Sequence, residues 1–180
     1  MQSVSFKINS VENGWFEAEF STISKRTAVS ASDKWGNDAP THLIKIINQL
    51  LSGKMTSGYI TLDEITGTYV LFFDYSGDNC LLYIFYTSEE TCHWKEMHTY
   101  GEMSLSEFLE KISVKELLFF SEIDLTHLAE SLYRAFDFYT EKKHLISYEE
   151  NWNPFPAKEF NKLETLIQNE NYSSFKYITA

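Results

Sequence analysis

Three kinds of zinc ligand lie close together in one short stretch of the chain. The four residues are a cysteine, two histidines and a glutamate: Cys92, His93, His98 and Glu96. Zinc binds thiolate, imidazole and carboxylate groups at about 2.0 to 2.3 Å. If the stretch is a strand, side chains two positions apart on one face are separated by about 7 Å, so a metal also needs a ligand from a second strand. We therefore expect no metal and no cofactor, and keep a small metal-binding protein or enzyme as the alternative.

The residues needed for other enzyme chemistries are not arranged for them. Acyl transfer needs a serine on a glycine-flanked turn, or a cysteine with a positioned histidine. In a strand, the neighbours Cys92 and His93 point to opposite faces. The chain has only seven glycines and no glycine-rich loop of the phosphate-binding type. The sequence favours a protein that is not an enzyme.

Acidic residues dominate the charge of this protein. It has 26 acidic and 15 basic residues, which gives a formal net charge of −11. This charge repels phosphate backbones and anionic lipids, so we predict no nucleic-acid partner and no membrane partner. No apolar run approaches the about 20 residues that cross a bilayer, and the first residues do not resemble a secretory signal. These features predict a cytoplasmic protein.

Several tryptophans lie near acidic residues, in a pattern that suits binding to a basic protein. Trp15 shares a predicted strand face with two glutamates, and two further tryptophans lie in predicted loops beside acids. Aromatic residues surrounded by charge are typical of binding hot spots. The alternative is that these large aromatic side chains simply cover the core. The predicted partner-binding residues are Trp15, Glu17, Glu19, Trp35, Glu149, Glu150 and Trp152.

One helix, over residues 37–53, is predicted more strongly than any other element. Asp38 is placed to cap the first N–H groups, Pro40 suits the first turn, and Gly53 can end the helix in the left-handed conformation. The apolar residues between them recur at the spacing of one buried helix face. These residues are Leu43, Ile46, Ile47, Leu50 and Leu51, and the opposite, polar face carries Lys45, Asn48, Gln49 and Ser52. Such an apolar face needs a sheet to cover it.

Alternating apolar and polar residues predict strands on both sides of this helix. An opening hairpin turns at Asn13 and Gly14, the residue pair that favours a tight hairpin turn. The predicted strands are 4–8, 16–20, 26–30, 59–63, 68–75, 80–87 and 91–100. Strands 68–75 and 80–87 are apolar on both faces. This predicts either a sheet covered on both sides or an exposed aromatic face that forms a homodimer.

The second half of the chain is predicted to be mainly helical. Helices are predicted over 105–112, from an Asp124 cap to about Lys142, and over 157–169, with a loop over 147–156. Residues 114–120 fit either a helical turn or an extended segment. Together the elements predict a single α+β domain over residues 1–180, with a mostly antiparallel sheet of about six to seven strands packed against about three to five helices.

Four segments of the chain resemble a known group of proteins: 29–32, 37–53, 63–71 and 152–156. In these segments it resembles a widespread group of uncharacterised bacterial proteins. That group is similar in size and layout to the immunity proteins that neutralise secreted toxins in polymorphic toxin systems. The matching residues are structural, so the resemblance implies a fold and no catalytic role. Together with the acidic and aromatic residues, it favours a non-catalytic cytoplasmic protein that binds a basic toxin.

Overall fold

The computed structural model describes residues 3–35, 38–76, 79–88, 100–111 and 116–178. Within these ranges the chain forms five helices and eight strands, which confirms the predicted α+β class. The strands are β1 (Ser5–Glu12), β2 (Trp15–Ser21), β3 (Arg26–Ser32), β4 (Ser57–Asp63), β5 (Gly67–Ser76), β6 (Asn79–Ser88), β7 (Tyr100–Glu102) and β8 (Glu116–Ile123). The helices are α1 (Ala39–Leu51), α2 (Leu105–Lys111), α3 (Leu125–Asp137), α4 (Lys142–Asn151) and α5 (Ala157–Ile178).

The strands form two antiparallel sheets, where we predicted one sheet. The first sheet has the order β1-β2-β3, and the second has the order β7-β4-β5-β6-β8. A 3₁₀ turn and helix α1 separate β3 from β4, and β4 starts a new set of hairpins in the second sheet. Residues 114–120, for which two conformations fitted the sequence, belong in their described part to β8.

The opening hairpin follows the sequence prediction. Asn13 and Gly14 both have positive φ angles, 55° and 78°, as the tight turn with the twist of a hairpin requires. In β2, Phe16, Ala18 and Phe20 are buried, and the residues between them face outward. The alternation therefore places one face of the first sheet on the core, and no helix of the described structure covers the other face.

Helix α1 is buried on more sides than its apolar face indicates. It packs against β4, α3 and α5. Asn48, which we placed on the polar face, is fully buried, and its amide donates a hydrogen bond to the Glu159 main-chain oxygen at 2.9 Å. That prediction was wrong because α5 covers the side of the helix that a sheet alone would leave open.

The predicted ends of α1 are partly confirmed. Pro40 lies in the first turn, and Gly53 has a φ angle of 64°. The Asp38 side chain makes no capping hydrogen bond, so that prediction was wrong. Its carboxylate instead accepts a hydrogen bond from the Trp152 indole N–H at 3.2 Å. A tertiary contact has taken the place of the local cap.

The second sheet is covered on both faces at its centre, as one of our two interpretations predicted. Leu71 and Phe73 of β5 belong to the main core. On the opposite face, Phe72 packs with Phe85 of β6 and with Phe108 of α2, whose ring centroid lies 5.0 Å from that of Phe72. Helix α2 therefore supplies the cover that α1 cannot.

The helix predicted from Asp124 to Lys142 is correct at its start and wrong at its end. Asp124 accepts a hydrogen bond from the His127 N–H at 3.1 Å, which confirms the cap. The helix ends at Asp137, where the Thr140 hydroxyl donates to the Asp137 main-chain oxygen at 2.7 Å. A 3₁₀ turn follows, and then α4 occupies part of the predicted 147–156 loop. Tyr148 is the only buried residue of α4, so this helix has no apolar periodicity from which it could be predicted.

The last helix starts at Ala157 as predicted and continues past residue 169 to Ile178. Among the described residues, no helix combines the length and the apolar composition that crossing a bilayer requires.

Candidate protein-binding surface

The outer face of the first sheet brings together three of the predicted partner-binding residues. Trp15, Glu17 and Glu19 alternate with the buried residues of β2 and therefore point away from the core. Glu17 lies between Ser10 of β1 and Ser30 of β3. The Ser10 hydroxyl donates to the Glu17 carboxylate at 3.0 Å, which fixes its position. We call this surface, formed by Trp15, Glu17, Glu19, Ser10 and Ser30, the acidic sheet face.

The carboxylates of the acidic sheet face are not neutralised within the described part of the chain. Glu19 lies opposite Lys7 and Ala28, but neither Glu17 nor Glu19 takes part in an ion pair there. The small serine and alanine neighbours lose little side-chain entropy when a partner covers them. This face therefore offers negative charge beside small side chains that lose little conformational entropy on binding.

The structure adds a residue to this face that the sequence analysis did not select. The Glu64 carboxylate, in the connection between β4 and β5, accepts a hydrogen bond from the Ser30 hydroxyl at 2.6 Å. The Tyr86 hydroxyl donates to it at 3.0 Å and the Thr66 hydroxyl at 3.3 Å. The only local signal was a pair of acids before a turn. The link to Ser30 spans two sheets and is not visible in a local pattern.

Two tyrosine rings lie beside Glu64. The ring centroids of Tyr69 and Tyr86 are 5.0 Å apart. Burial raises the pKa of the Tyr69 hydroxyl, and the neighbouring Glu64 raises it further. The hydroxyl therefore stays protonated at neutral pH. A carboxylate held by three hydroxyl groups, with aromatic rings beside it, is suited to bind an ammonium or guanidinium group.

The acidic end of α4 lies beside the hairpin turn that precedes Trp15. The Asn151 side chain accepts a hydrogen bond from the Asn13 N–H at 3.0 Å, and the Asn151 main-chain oxygen accepts one from the Gly14 N–H at 2.9 Å. The two residues before Asn151 are Glu149 and Glu150, both exposed. The Glu149 carboxylate accepts a hydrogen bond from the Phe155 N–H at 3.2 Å. The fold thus brings the two predicted acidic groups to the same end of the molecule.

Of the other two tryptophans predicted to bind a partner, the structure describes the side chain of Trp152 alone. Trp152 is 7% exposed, and its ring centroid lies 6.0 Å from that of Phe16 in the core. It therefore covers the core, as the alternative interpretation held, and offers a partner little area. The backbone of Trp35 lies in a 3₁₀ turn, and its side chain is outside the described structure.

The possible zinc ligands Cys92, His93, Glu96 and His98 lie outside the described residues. Within the described ranges, no three His, Cys, Asp or Glu side chains are grouped as metal ligands would be. Cys80 is buried, and burial raises the pKa of its thiol to about 12. The metal-binding alternative stays a prediction, which metal analysis of untagged protein will decide.

His42 of α1 is half-buried at the edge of the second sheet. Its ring packs against Tyr100 with centroids 4.5 Å apart. Burial lowers the pKa of His42 from its ordinary 6.5, an effect that Asp38 opposes and Lys45 reinforces. Because the unfolded chain binds the proton at the ordinary pKa, protonation of this group below about pH 6.5 favours unfolding.

We therefore expect the free energy of unfolding to fall as the pH drops below about 6.5, with His42 as one contributor. The His42→Gln variant lacks this titrating group. Between neutral and acid pH, its free energy of unfolding should therefore fall less than that of the unsubstituted protein. Urea unfolding at a series of pH values measures both. Equal losses would show that His42 titrates alike in the folded and unfolded chains.

The aromatic outer face of the second sheet is exposed at its β8 edge. Phe120 and Leu117 of β8 are 49% and 50% exposed, and Leu109 of α2 is 48% exposed. The centre of the face is covered, so a homodimer would use only this margin. The homodimer stays a prediction, and sedimentation measures it.

Comparisons of the chain with protein-family models, with curated proteins and with solved structures found no match. The function is therefore proposed from the geometry of the chain itself.

Proposed function

We propose that this protein is a non-catalytic binding module of the cytoplasm, an immunity protein that neutralises a basic toxin by covering it with the acidic sheet face. The observation that carries the proposal is the position of Glu17: a serine hydroxyl orients it, and no described cation pairs with it. A carboxylate that is positioned but not neutralised is available to a partner.

The neighbouring groups suit the same partner. Glu64 and the Tyr69 and Tyr86 rings adjoin the face through Ser30, and Glu149 and Glu150 adjoin it beyond the hairpin turn. Complementary charge speeds association and selects the partner more than it adds raw affinity. We therefore expect fast binding that weakens as salt screens the charges, over a Debye length of about 10 Å at 0.1 M salt.

The immunity function predicts a toxin gene immediately upstream of the gene for this protein, and the test uses its product. We expect Glu17→Lys with Glu19→Lys to weaken binding by about 10- to 100-fold and to abolish protection of growth, because each change replaces an attraction by a repulsion. Surface plasmon resonance at two salt concentrations measures the affinity. The absence of a toxin gene at that position would contradict the immunity function.

A matched control carries the same change in net charge elsewhere. Glu110→Lys with Glu116→Lys alters two exposed carboxylates on α2 and β8. If this control weakens binding as strongly, total charge and not the acidic sheet face determines the association, and the proposed surface is wrong.

A further inference from the structure

A groove of about 550 Å³ runs between strand β1 and helix α3, outside the acidic sheet face. Strand β1 is an edge strand of the first sheet, so among the described residues no strand lies beside one side of its backbone. The volume of the groove lies in the range of ligand-binding clefts. The groove is open to solvent, so a peptide segment can reach the edge of β1.

Part of the β1 edge is already occupied by α3. The Ser131 hydroxyl accepts a hydrogen bond from the Phe6 N–H at 2.7 Å and donates one to the Phe6 carbonyl at 3.1 Å. Both backbone groups of Phe6 therefore point outward, away from β2. Alternate residues of an antiparallel edge strand share this direction, so the N–H and C=O of Ile8 point outward as well, into the groove.

A β-bulge lies immediately after Ile8. The register passes from Ile8 opposite Ala18 to Ser10 opposite Glu17, which leaves Asn9 without a partner residue on β2. Bulges bend an edge strand and limit how far another strand can pair with it. The edge thus presents one residue for pairing, between the Ser131 contact and the bulge.

The charge of the groove is opposite to that of the protein. Lys7 and Arg134 line it, and none of the described residues that line it is an aspartate or a glutamate, although the protein carries a net charge of −11. Arg134 pairs with Glu130 at 3.9 Å, and the Arg134 side chain is 66% exposed. A surface pair of this length contributes little, so the guanidinium remains available to a carboxylate.

An apolar surface completes the groove. Phe138 lines it and is 55% exposed, and Ala135 lies half-buried beside it. If a peptide strand pairs beside Ile8, its successive side chains point in opposite directions. One set can then pack on the apolar surface, and the other can reach Lys7 and Arg134. We propose that the groove binds an extended acidic peptide segment of a partner protein, which pairs its backbone with Ile8, places carboxylates on Arg134 and Lys7, and packs an apolar side chain on Phe138.

This second site is independent of the toxin proposal and takes a partner of the opposite charge. The probe is the peptide acetyl-Glu-Val-Glu-Val-Glu-amide, titrated into ¹⁵N-labelled protein and followed by NMR. We expect saturable shifts of the Ile8 and Asn9 amide signals, and about a tenfold loss of affinity in Arg134→Glu, because a charge-assisted contact becomes a repulsion. Lys54→Glu, an exposed control away from the groove, should retain the affinity.

Three further probes separate the parts of the proposal. The lysine analogue acetyl-Lys-Val-Lys-Val-Lys-amide should not bind, and an analogue N-methylated at all five residues, which keeps every carboxylate, should bind at least about tenfold more weakly because none of its residues can donate a backbone hydrogen bond. Binding of glutarate at the same affinity would overturn the peptide proposal in favour of a site for small carboxylates. Shifts confined to other residues, an equal effect of Lys54→Glu, or no shift at millimolar peptide would also overturn it.

Discussion

Phe136→Ala is expected to lower the free energy of unfolding by about 3–5 kcal/mol, the cost of truncating a phenylalanine in a packed core. Phe136 is fully buried on α3. Its ring lies nearly parallel to those of Phe6 and Phe16 of the first sheet, at centroid distances of 6.2 and 6.4 Å, and it meets Phe155 at 6.5 Å. The substitution removes contacts with two strands and a loop at once, and the rigid backbone around it cannot close the cavity.

The chain offers a matched control two residues further on. Phe138 is 55% exposed, so Phe138→Ala should cost less than about 1 kcal/mol. The same variant removes the apolar wall of the β1–α3 groove and should weaken binding of the acidic peptide. Urea unfolding followed by circular dichroism measures both stabilities. Equal losses in the two variants would contradict the assignment of Phe136, and not Phe138, to the core.

Ser131→Ala is expected to lower the free energy of unfolding by about 1–3 kcal/mol, because it leaves a buried donor and a buried acceptor of Phe6 unpaired. Ser131 is 7% exposed and bonds to both backbone groups of Phe6. Helix propensity acts in the opposite direction, since alanine favours a helix more than serine does, but by only about 0.5 kcal/mol. The loss of the two hydrogen bonds should therefore dominate.

Hydrogen exchange makes the Ser131 prediction specific. In Ser131→Ala the Phe6 amide should exchange faster than in the unsubstituted protein, relative to other amides of β1. Ser147→Ala, at an exposed position of α4, should leave both the stability and this exchange rate within error. An unchanged Phe6 amide in Ser131→Ala would show that the hydroxyl does not hold the edge strand.

The elements with strong local signals were predicted correctly. The tight turn at Asn13 and Gly14 needs positive φ angles, which these residue types adopt readily, and the alternation in β2 needs only one buried face. Helix α1 has a proline at its start and a glycine at its end. In each case the residues that cause the conformation lie within a few positions of it, so the local sequence is enough to predict the element.

The errors arise where a distant contact replaces a local one. Asp38 bonds to Trp152 and does not cap its helix, and Asn48 is buried by Glu159 and its helix. Helix α4 has one buried residue, Tyr148, and no periodicity to reveal it. Each outcome depends on which element packs beside the residue, which the local sequence does not contain.

The same distinction applies to the candidate surfaces. The sequence by itself determined the acidic character of the protein, the α+β class, and the position of Trp15, Glu17 and Glu19 on one strand face, because charge and a two-residue alternation are properties of the chain. Only the tertiary structure brought Glu64 to Ser30, buried Trp152, and placed Arg134 beside the free edge of β1. These arrangements join residues far apart in the chain, and packing of the two sheets around α1 and α3 decides which of them meet.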